Sequence, residues 1–233
     1  MDVGLLRLEL DTLWVTDADG RLRRCRTDAG EPPPLLVVGA GDSIDGCWAA
    51  SAALPAAVVD RLQELLAHEP VQAPAVGWAP RAADALVAAA RSVGPLAAPH
   101  GGPSYLVPAG LVPDPSVELH TSADADAAAT LALLPSADRS LAAPWVIAIV
   151  DGQAAAVCET ARDAPASVEA GVWTYEPFRR RGLAVAVTAA WSALVTDRTA
   201  FYSTSWDNHA SQAVAHRLGL PTVGHWWQLS AAR

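Results

Sequence analysis

Three arginines run directly into a glycine at Arg179-Arg180-Arg181-Gly182. A β-branched and aromatic stretch ending at Tyr175 precedes them, and an apolar, alanine-rich stretch beginning at Leu183 follows. That order reads as strand, tight turn, helix. Cations placed there repel one another and oppose the partial positive charge of a helix N-terminus. An anion resolves both conflicts. Gly182 admits a phosphate to the backbone N–H groups, and the guanidinium groups add charge-assisted bonds. The chemistry within reach is to cradle a pyrophosphate; the alternative is a solvated basic turn.

A second group lies downstream, from Asp207-Asn208-His209-Ala210-Ser211 to Leu218-Gly219-Leu220. Residues 201–205 read as a short strand. Asp207 or Asn208 caps a helix over 209–218, with Ala210, Ala213, Val214 and Leu218 on its core face and Gly219 after its end. Taken alone, Asn208 is a cap and Ser211 a first-turn residue.

The elements that must position these groups follow from pattern. Residues 145–150 and 153–159 flank Asp151-Gly152, the dipeptide favoured in a hairpin turn with two positive φ values. Residues 168–175 form the next strand, which feeds the arginine loop. A helix over 183–195, the strand and helix just described, and a strand over 225–229 complete this part, with a helix over 123–134 capped by Ser122 ahead of it. The amino-terminal part reads as strands over 5–10 and 13–16, a turn at Asp17-Ala18-Asp19-Gly20, and a buried strand over 35–39. Helices over 54–67 and 81–92 follow, then a turn at Gly101-Gly102 leading into a strand that exits at Pro108. The proline-rich residues 108–115 are read as a link. The expected division is therefore an α/β amino-terminal domain over 1–112 and a second domain over 116–233. No phosphate loop appears in the first, where His68 and His100 stand isolated, as does His120 in the second.

Composition narrows the classes. Hydrophobic residues make up 52% and charged residues 18%, which excludes a disordered, solvating chain. The formal charge of -9 argues against non-specific binding to nucleic acid or to an anionic membrane, so the arginine triplet is a local basic spot on an acidic body. Cys25, Cys47 and Cys158 are odd in number and lack metal-ligand spacing, as expected of free thiols in a reducing compartment. With no signal-peptide pattern and no apolar run near the ~20 residues needed to span a bilayer, a cytoplasmic protein is expected, with no metal.

The ordered pair of motifs resembles the GNAT superfamily of acyl-CoA-dependent N-acyltransferases. Arg179-x-x-Gly182-x-Ala184 is similar to that family's pyrophosphate loop, and Asn208-x-x-Ser211 with Arg217-Leu218-Gly219-Leu220 to its second CoA-proximal segment; the resemblance covers about residues 116 to 229. It implies a twisted mixed sheet flanked by helices, preceded here by a smaller α/β extension, itself a candidate degenerate half of the same fold. It implies acetyl-CoA as cosubstrate. Two central strands would splay apart, with the pantetheine arm pairing to the backbone of Val172, Trp173 and Thr174. Arg179, Arg180, Arg181, Gly182, Leu183 and Ala184 would hold the pyrophosphate, and Asn208 and Ser211 would contact the pantetheine.

The implied reaction is direct transfer of an acetyl group to a primary amine of a small molecule or peptide. It needs a neutral amine, a polarised carbonyl and a means of stabilising the departing sulfur. Many relatives use a tyrosine four residues after the serine; here that position is Ala215. Ser211, His216, His209, Tyr202 or water could take that role. Glu169, on the strand ahead of the loop, is the candidate base. The alternative reading is a catalytically silent acyl-CoA-binding sensor or interaction module. A Rossmann-type protein is excluded because the only phosphate loop has one glycine and comes late, and Ser–His–Asp hydrolysis by the lack of a Gly-x-Ser-x-Gly elbow. Trp226-Trp227 on the last strand could pack internally or across a homodimer.

Overall fold

The computed structural model describes residues 3–27, 32–40, 47–70, 75–135, 138 and 140–232. By their contacts they form two compact units, one of Met1–Ser104, Ser203–His209 and Thr222–Arg233, the other of Tyr105–Tyr202 and Ala210–Pro221. The first unit thus takes in the carboxy-terminal strand as well as the amino-terminal residues.

The first unit opens with helix α1 (Val3–Leu13), where alternation predicts a strand over 5–10. Burial explains the difference. Leu6, Glu9, Leu10, Thr12 and Leu13 are buried, and the spacing of three and four from Leu6 through Glu9 and Leu10 to Leu13 is one that a helix places on one face. Glu9 is the polar residue on that face: Ser104 Oγ and, at 2.9 Å, Trp226 Nε1 both donate to its carboxylate. A hairpin of β1 (Trp14–Thr16) and β2 (Leu22–Cys25) follows, its turn held by Asp17 Oδ1, which accepts the N–H groups of Asp19 and Arg21 at 3.0 and 2.9 Å. Strand β3 (Leu36–Ala40) pairs antiparallel with β4 (Cys47–Ala50), which the sequence reading missed, and with the last strand, β11 (Thr222–Leu229). Helices α2 (Ala56–Leu66) and α3 (Ala83–Ala90) are shorter than expected and bury Leu62, Leu86 and Ala90 against Leu36, Trp78 and Trp227. Gly101 and Gly102 form no turn; they lie in strand β5 (His100–Val107), where a Cβ would stand 1.9 Å from Trp226 O and 1.7 Å from Thr204 O. Close backbone approach, not bending, requires them.

The second unit is a mixed sheet. β6 (Glu118–Thr121), also missed, pairs with β7 (Trp145–Val150), β7 with β8 (Gln153–Asp163), and β8 with β9 (Ser167–Thr174), all antiparallel. β10 (Thr199–Ser203) joins β9 in parallel. Asp151 and Gly152 take φ values of 51° and 73°, the expected hairpin turn. Along β9 side chains alternate. Val168, Ala170 and Val172 face one apolar cluster, while Trp173 faces another with Trp145, Ile147 and Val157. Helix α5 (Leu183–Ser192) lies against the first cluster through Leu183, Val187 and Trp191, spaced by four. Trp191 is fully buried, which stabilises by about 3 kcal/mol; its Nε1 donates to Pro144 O at 3.1 Å and to Thr160 Oγ1 at 3.3 Å. α6 (His209–Arg217) packs on the same cluster through Val214 and Ala215. The opposite face carries α4 (Ala127–Ala132), which is only six residues long. Asp126 is its N-cap residue, while Ser122 Oγ instead accepts the N–H of Trp145 at 3.3 Å. Among the described residues, no helix is long and apolar enough to cross a membrane.

Candidate active site

Strand β9 delivers the arginine loop. After Thr174 the chain makes a single 3-10 turn, Glu176–Phe178, with Phe178 packed against the cluster under α5. Arg180 and Gly182 then take left-handed φ values of 64° and 80°, and α5 starts directly after Gly182. A left-handed arginine is uncommon and mildly strained. Left-handed residues thus stand on either side of Arg181, directly before the helix. The N–H of Gly182 stands at the start of α5, whose first helical bond runs from Ala186 N to Gly182 O, 3.2 Å. The N–H groups of Leu183 and Ala184 are therefore helix-end donors too. A Cβ built at Gly182 meets nothing within 4 Å, so the space before the loop is open. Arg179 Nε donates to Thr174 O at 3.2 Å, folding that guanidinium back over the end of β9; the other two side chains are exposed.

The edge of β9 that leads into this loop is also distinctive. Its parallel register with β10 holds at three positions only, ending at Phe201↔Glu169, whereas its antiparallel register with β8 continues to Ala156↔Thr174. From Ala170 to Thr174 the strand is thus paired on one side. Val172, Trp173 and Thr174, named in advance as the cosubstrate-pairing residues, occupy this half-paired edge and are half-buried.

Tyr202 is the first residue of β10 beyond the paired register. Its side chain is buried among Ala170, Val172 and Ala215, and its ring lies 6.4 Å from that of Tyr105. The Tyr202 hydroxyl lies 2.7 Å from Ser211 Oγ and 3.4 Å from Ser211 O, so Ser211 is held from behind by a phenol. Burial pushes the Tyr202 hydroxyl up to about 12, with the Ser211 bond acting against the shift and Cys158 and Tyr105 adding to it. The sequence named Tyr202 only as one of several stand-ins for a missing acid. The signal that singles it out is a tertiary contact between a strand and a helix.

Glu169 is 2% exposed and accepts a charge-assisted bond from Arg162 Nη1 across the bulge in β8. Ala215 is fully buried, so nothing polar projects from that position. Asn208 belongs to the first unit, and its N–H is bonded to Ser205 O at 3.2 Å. His120, read as isolated, has Glu118 Oε1 3.1 Å from Nε2 and Thr130 Oγ1 3.3 Å from Nδ1. With Asp124 and Asp126 it sets three ligand-type atoms within 4.8 Å of one another. Asp124 is also engaged by the turn, accepting from Thr121 N at 2.7 Å and Thr121 Oγ1 at 3.0 Å. The cysteines are free; burial raises Cys47 to about 11 and Cys158 well above its ordinary value, which leaves neither a ready nucleophile.

No protein-family model and no curated protein matches the chain. Solved structures do. A GCN5-related N-acetyltransferase from Kribbella flavida is similar at 22% identity and a TM-score of 0.47, over 64% of this chain and 64% of that one, so the match spans less than two thirds of that protein. A GCN5-related N-acetyltransferase-like protein from Streptococcus suis is similar at 16% identity and a TM-score of 0.46, over 85% of this chain and 84% of that one. An acetyltransferase of the GNAT family from Colwellia psychrerythraea is similar at 15% identity and a TM-score of 0.43, over 65% and 63%.

Proposed function

We propose that this chain is an acetyl-CoA-dependent N-acetyltransferase that transfers the acetyl group directly to a primary amine of a small molecule or peptide, its transferase part lying within residues 116–233. The observation that carries the reading is a continuous one. A strand edge paired on one side only runs straight into a turn with two left-handed residues, three arginines and a helix N-terminus. A backbone edge of that kind accepts an extended amide-bearing ligand, and the turn accepts a diphosphate. The pantetheine and pyrophosphate of coenzyme A present those two features in that order. In this reading the backbone of Val172, Trp173 and Thr174 pairs with the pantetheine amides. The N–H groups from Arg180 to Ala184 bond the phosphates, and the guanidinium groups of Arg179, Arg180 and Arg181 add charge.

The thioester supplies an activated acyl carbon when bound. The chain's residues orient it, keep water from it and receive a proton. Glu169 is the carboxylate on β9 that takes the amine proton, through water, while Arg162 fixes its orientation. Ser211 presents a hydroxyl to the sulfur that leaves. A second reading, a silent acyl-CoA-binding module, draws support from Ala215 in place of the usual tyrosine and from the Arg162–Glu169 ion pair. The cytoplasm is the compartment that fits free thiols and acetyl-CoA.

Calorimetry with acetyl-CoA and coenzyme A, followed by thiol release over a panel of primary amines, tests both. Micromolar binding with thiol release in the presence of one amine class is expected. Binding without release from any amine would leave the silent module, and no binding would reduce the loop to a solvated basic turn.

A further inference from the structure

We propose that Arg179 is a positioning residue: its Nε–H closes the last carbonyl on the open edge of β9, and so fixes where along that edge an acyl-CoA begins to pair. This rests on the acyl-CoA reading above and narrows its edge from three residues to the two whose backbone faces it. The phase of the strand decides which two. Antiparallel pairs alternate between those that exchange backbone hydrogen bonds and those that do not. Tyr175 N donates to Ala155 O at 3.0 Å, so that pair is of the bonded kind. In the same register Val157↔Trp173 is bonded as well, and Ala156↔Thr174 and Cys158↔Val172 are not. On the other side of the strand, Thr199 N donates to Ala166 O at 3.1 Å, which turns the even-numbered residues of this stretch towards β10. Trp173 therefore gives its backbone to β8, while Val172 and Thr174 turn theirs to the edge beyond the β10 register.

Thr174 O is the last acceptor of that row, and Arg179 Nε donates to it at 3.2 Å. Were it open, an extended ligand could pair one step nearer the loop, and a step of two strand residues is about 7 Å. With it closed, the row presents the N–H and C=O of Val172 and the N–H of Thr174, which is one register. The separation of these groups from the turn at Arg180 and Gly182 is then set, and it suits one length of arm between a diphosphate and its nearest amide. Arg179 acts through Thr174 in this role. Its charge still adds to the cradle, but the bond to Thr174 O needs only the N–H at Nε. An arginine Nε and a glutamine Nε2 stand the same number of bonds from Cα, so glutamine can make this bond without the charge. Lysine keeps the charge and places its nitrogen one atom further out, and methionine supplies neither.

The test uses the whole chain and calorimetry with two ligands: coenzyme A, which would span edge and turn, and ADP, which carries the diphosphate without the arm. Arg179→Gln and Arg179→Met are uncharged and alike in size, so their difference isolates the bond. The Gln variant should bind coenzyme A about tenfold more tightly than the Met variant, the effect of one hydrogen bond and the register it sets. ADP should bind these two variants alike. Arg179→Lys should rank above the Gln variant for ADP and below it for coenzyme A. Equal coenzyme A affinity in the Gln and Met variants would overturn the proposal and leave the acyl-CoA reading standing. A Gln advantage of the same size for ADP would do likewise, because the bond would then only support the loop. A Lys variant that ranks first for both ligands would reduce Arg179 to its charge. Failure of the wild-type protein to bind coenzyme A would remove the reading itself and the proposal with it.

Discussion

Two passages in this chain run from a strand through a turn into a helix, and they handle the same backbone problem in opposite ways. Every helix start leaves donors without intrahelical partners. Between β10 and α6 the chain answers from within. Asn208 N–H bonds Ser205 O at 3.2 Å, His209 N–H bonds Asp207 O at 3.0 Å, and Ser205 Oγ donates to the Asp207 carboxylate. Between β9 and α5 the helix starts beside three cations, with left-handed residues at Arg180 and Gly182 and open space in front of Gly182. A turn that satisfies itself is architecture. The sequence motifs give Asn208 and the arginine loop similar standing as cosubstrate contacts, and the two turns differ in how their backbones are held.

The strongest way to break this contrast is to close the open turn. Gly182→Glu places a carboxylate where the phosphates are proposed to sit, and coenzyme A affinity should fall more than about 100-fold by calorimetry, at least the loss of one charged bond. Because a Cβ at Gly182 meets no atom within 4 Å, the fold should survive. Gly182→Ala separates the two effects. It should lower stability by about 1 kcal/mol, through the 80° φ alone, while affinity changes only a few-fold. If the Glu variant still binds coenzyme A at wild-type affinity, the open turn has no phosphate role.

The same criterion, whether a polar group is already satisfied inside the chain, sharpens the reading of Glu169. It is bonded to Arg162 and 2% exposed, which on this criterion is structural, yet the proposed chemistry asks it to receive a proton. Glu169→Gln decides. As a base, its loss should lower kcat by about 100-fold at unchanged acetyl-CoA affinity. As a purely structural partner of Arg162, it should lower only the melting temperature, by an amount equivalent to roughly 2–3 kcal/mol. A smaller effect is expected at the rim of the loop. Arg179→Ala removes one of three guanidinium groups and its bond to Thr174 O, so coenzyme A affinity should drop about tenfold and respond less steeply to added salt. An unchanged salt response would mean that this cation faces solvent alone.

Legibility in the sequence followed the range of the interactions involved. The Asp151-Gly152 hairpin, strand β7 and the start of α5 were readable because their determinants are local: a turn dipeptide, an apolar run and a left-handed glycine. Helix α1 was misread because Leu-Arg-Leu-Glu-Leu alternates by accident. What makes Glu9 an inward residue is Trp226, 217 positions away in the chain. Strands β4 and β6 are only four residues each, too short for a period to show. The site divides along the same line. The arginine loop is a local pattern and was found whole. The Tyr202–Ser211 bond joins two elements and could only be one option among several, and the early end of the β9–β10 register has no sequence signature.

The self-satisfied turn makes the last and smallest prediction, and it is where the contrast between the two passages is most exposed to refutation. Asp207 titrates below its ordinary value, chiefly because the Ser205 hydroxyl donates to its carboxylate, with a smaller contribution from the charge of His209. A carboxylate lowered on folding adds stability above its unfolded value of 3.8, and that stability is lost as pH falls through the lower folded value. Asp207→Asn should therefore melt slightly below the wild type at neutral pH, and the two curves should merge once pH has fallen below the lowered folded value. Coenzyme A affinity should be the same in both, because the Asp207 carboxylate is engaged by the Ser205 hydroxyl within the turn. A fall in affinity for Asp207→Asn, at a pH where its stability matches the wild type, would show that the second turn also faces the ligand, and the distinction between a closed and an open turn would no longer hold.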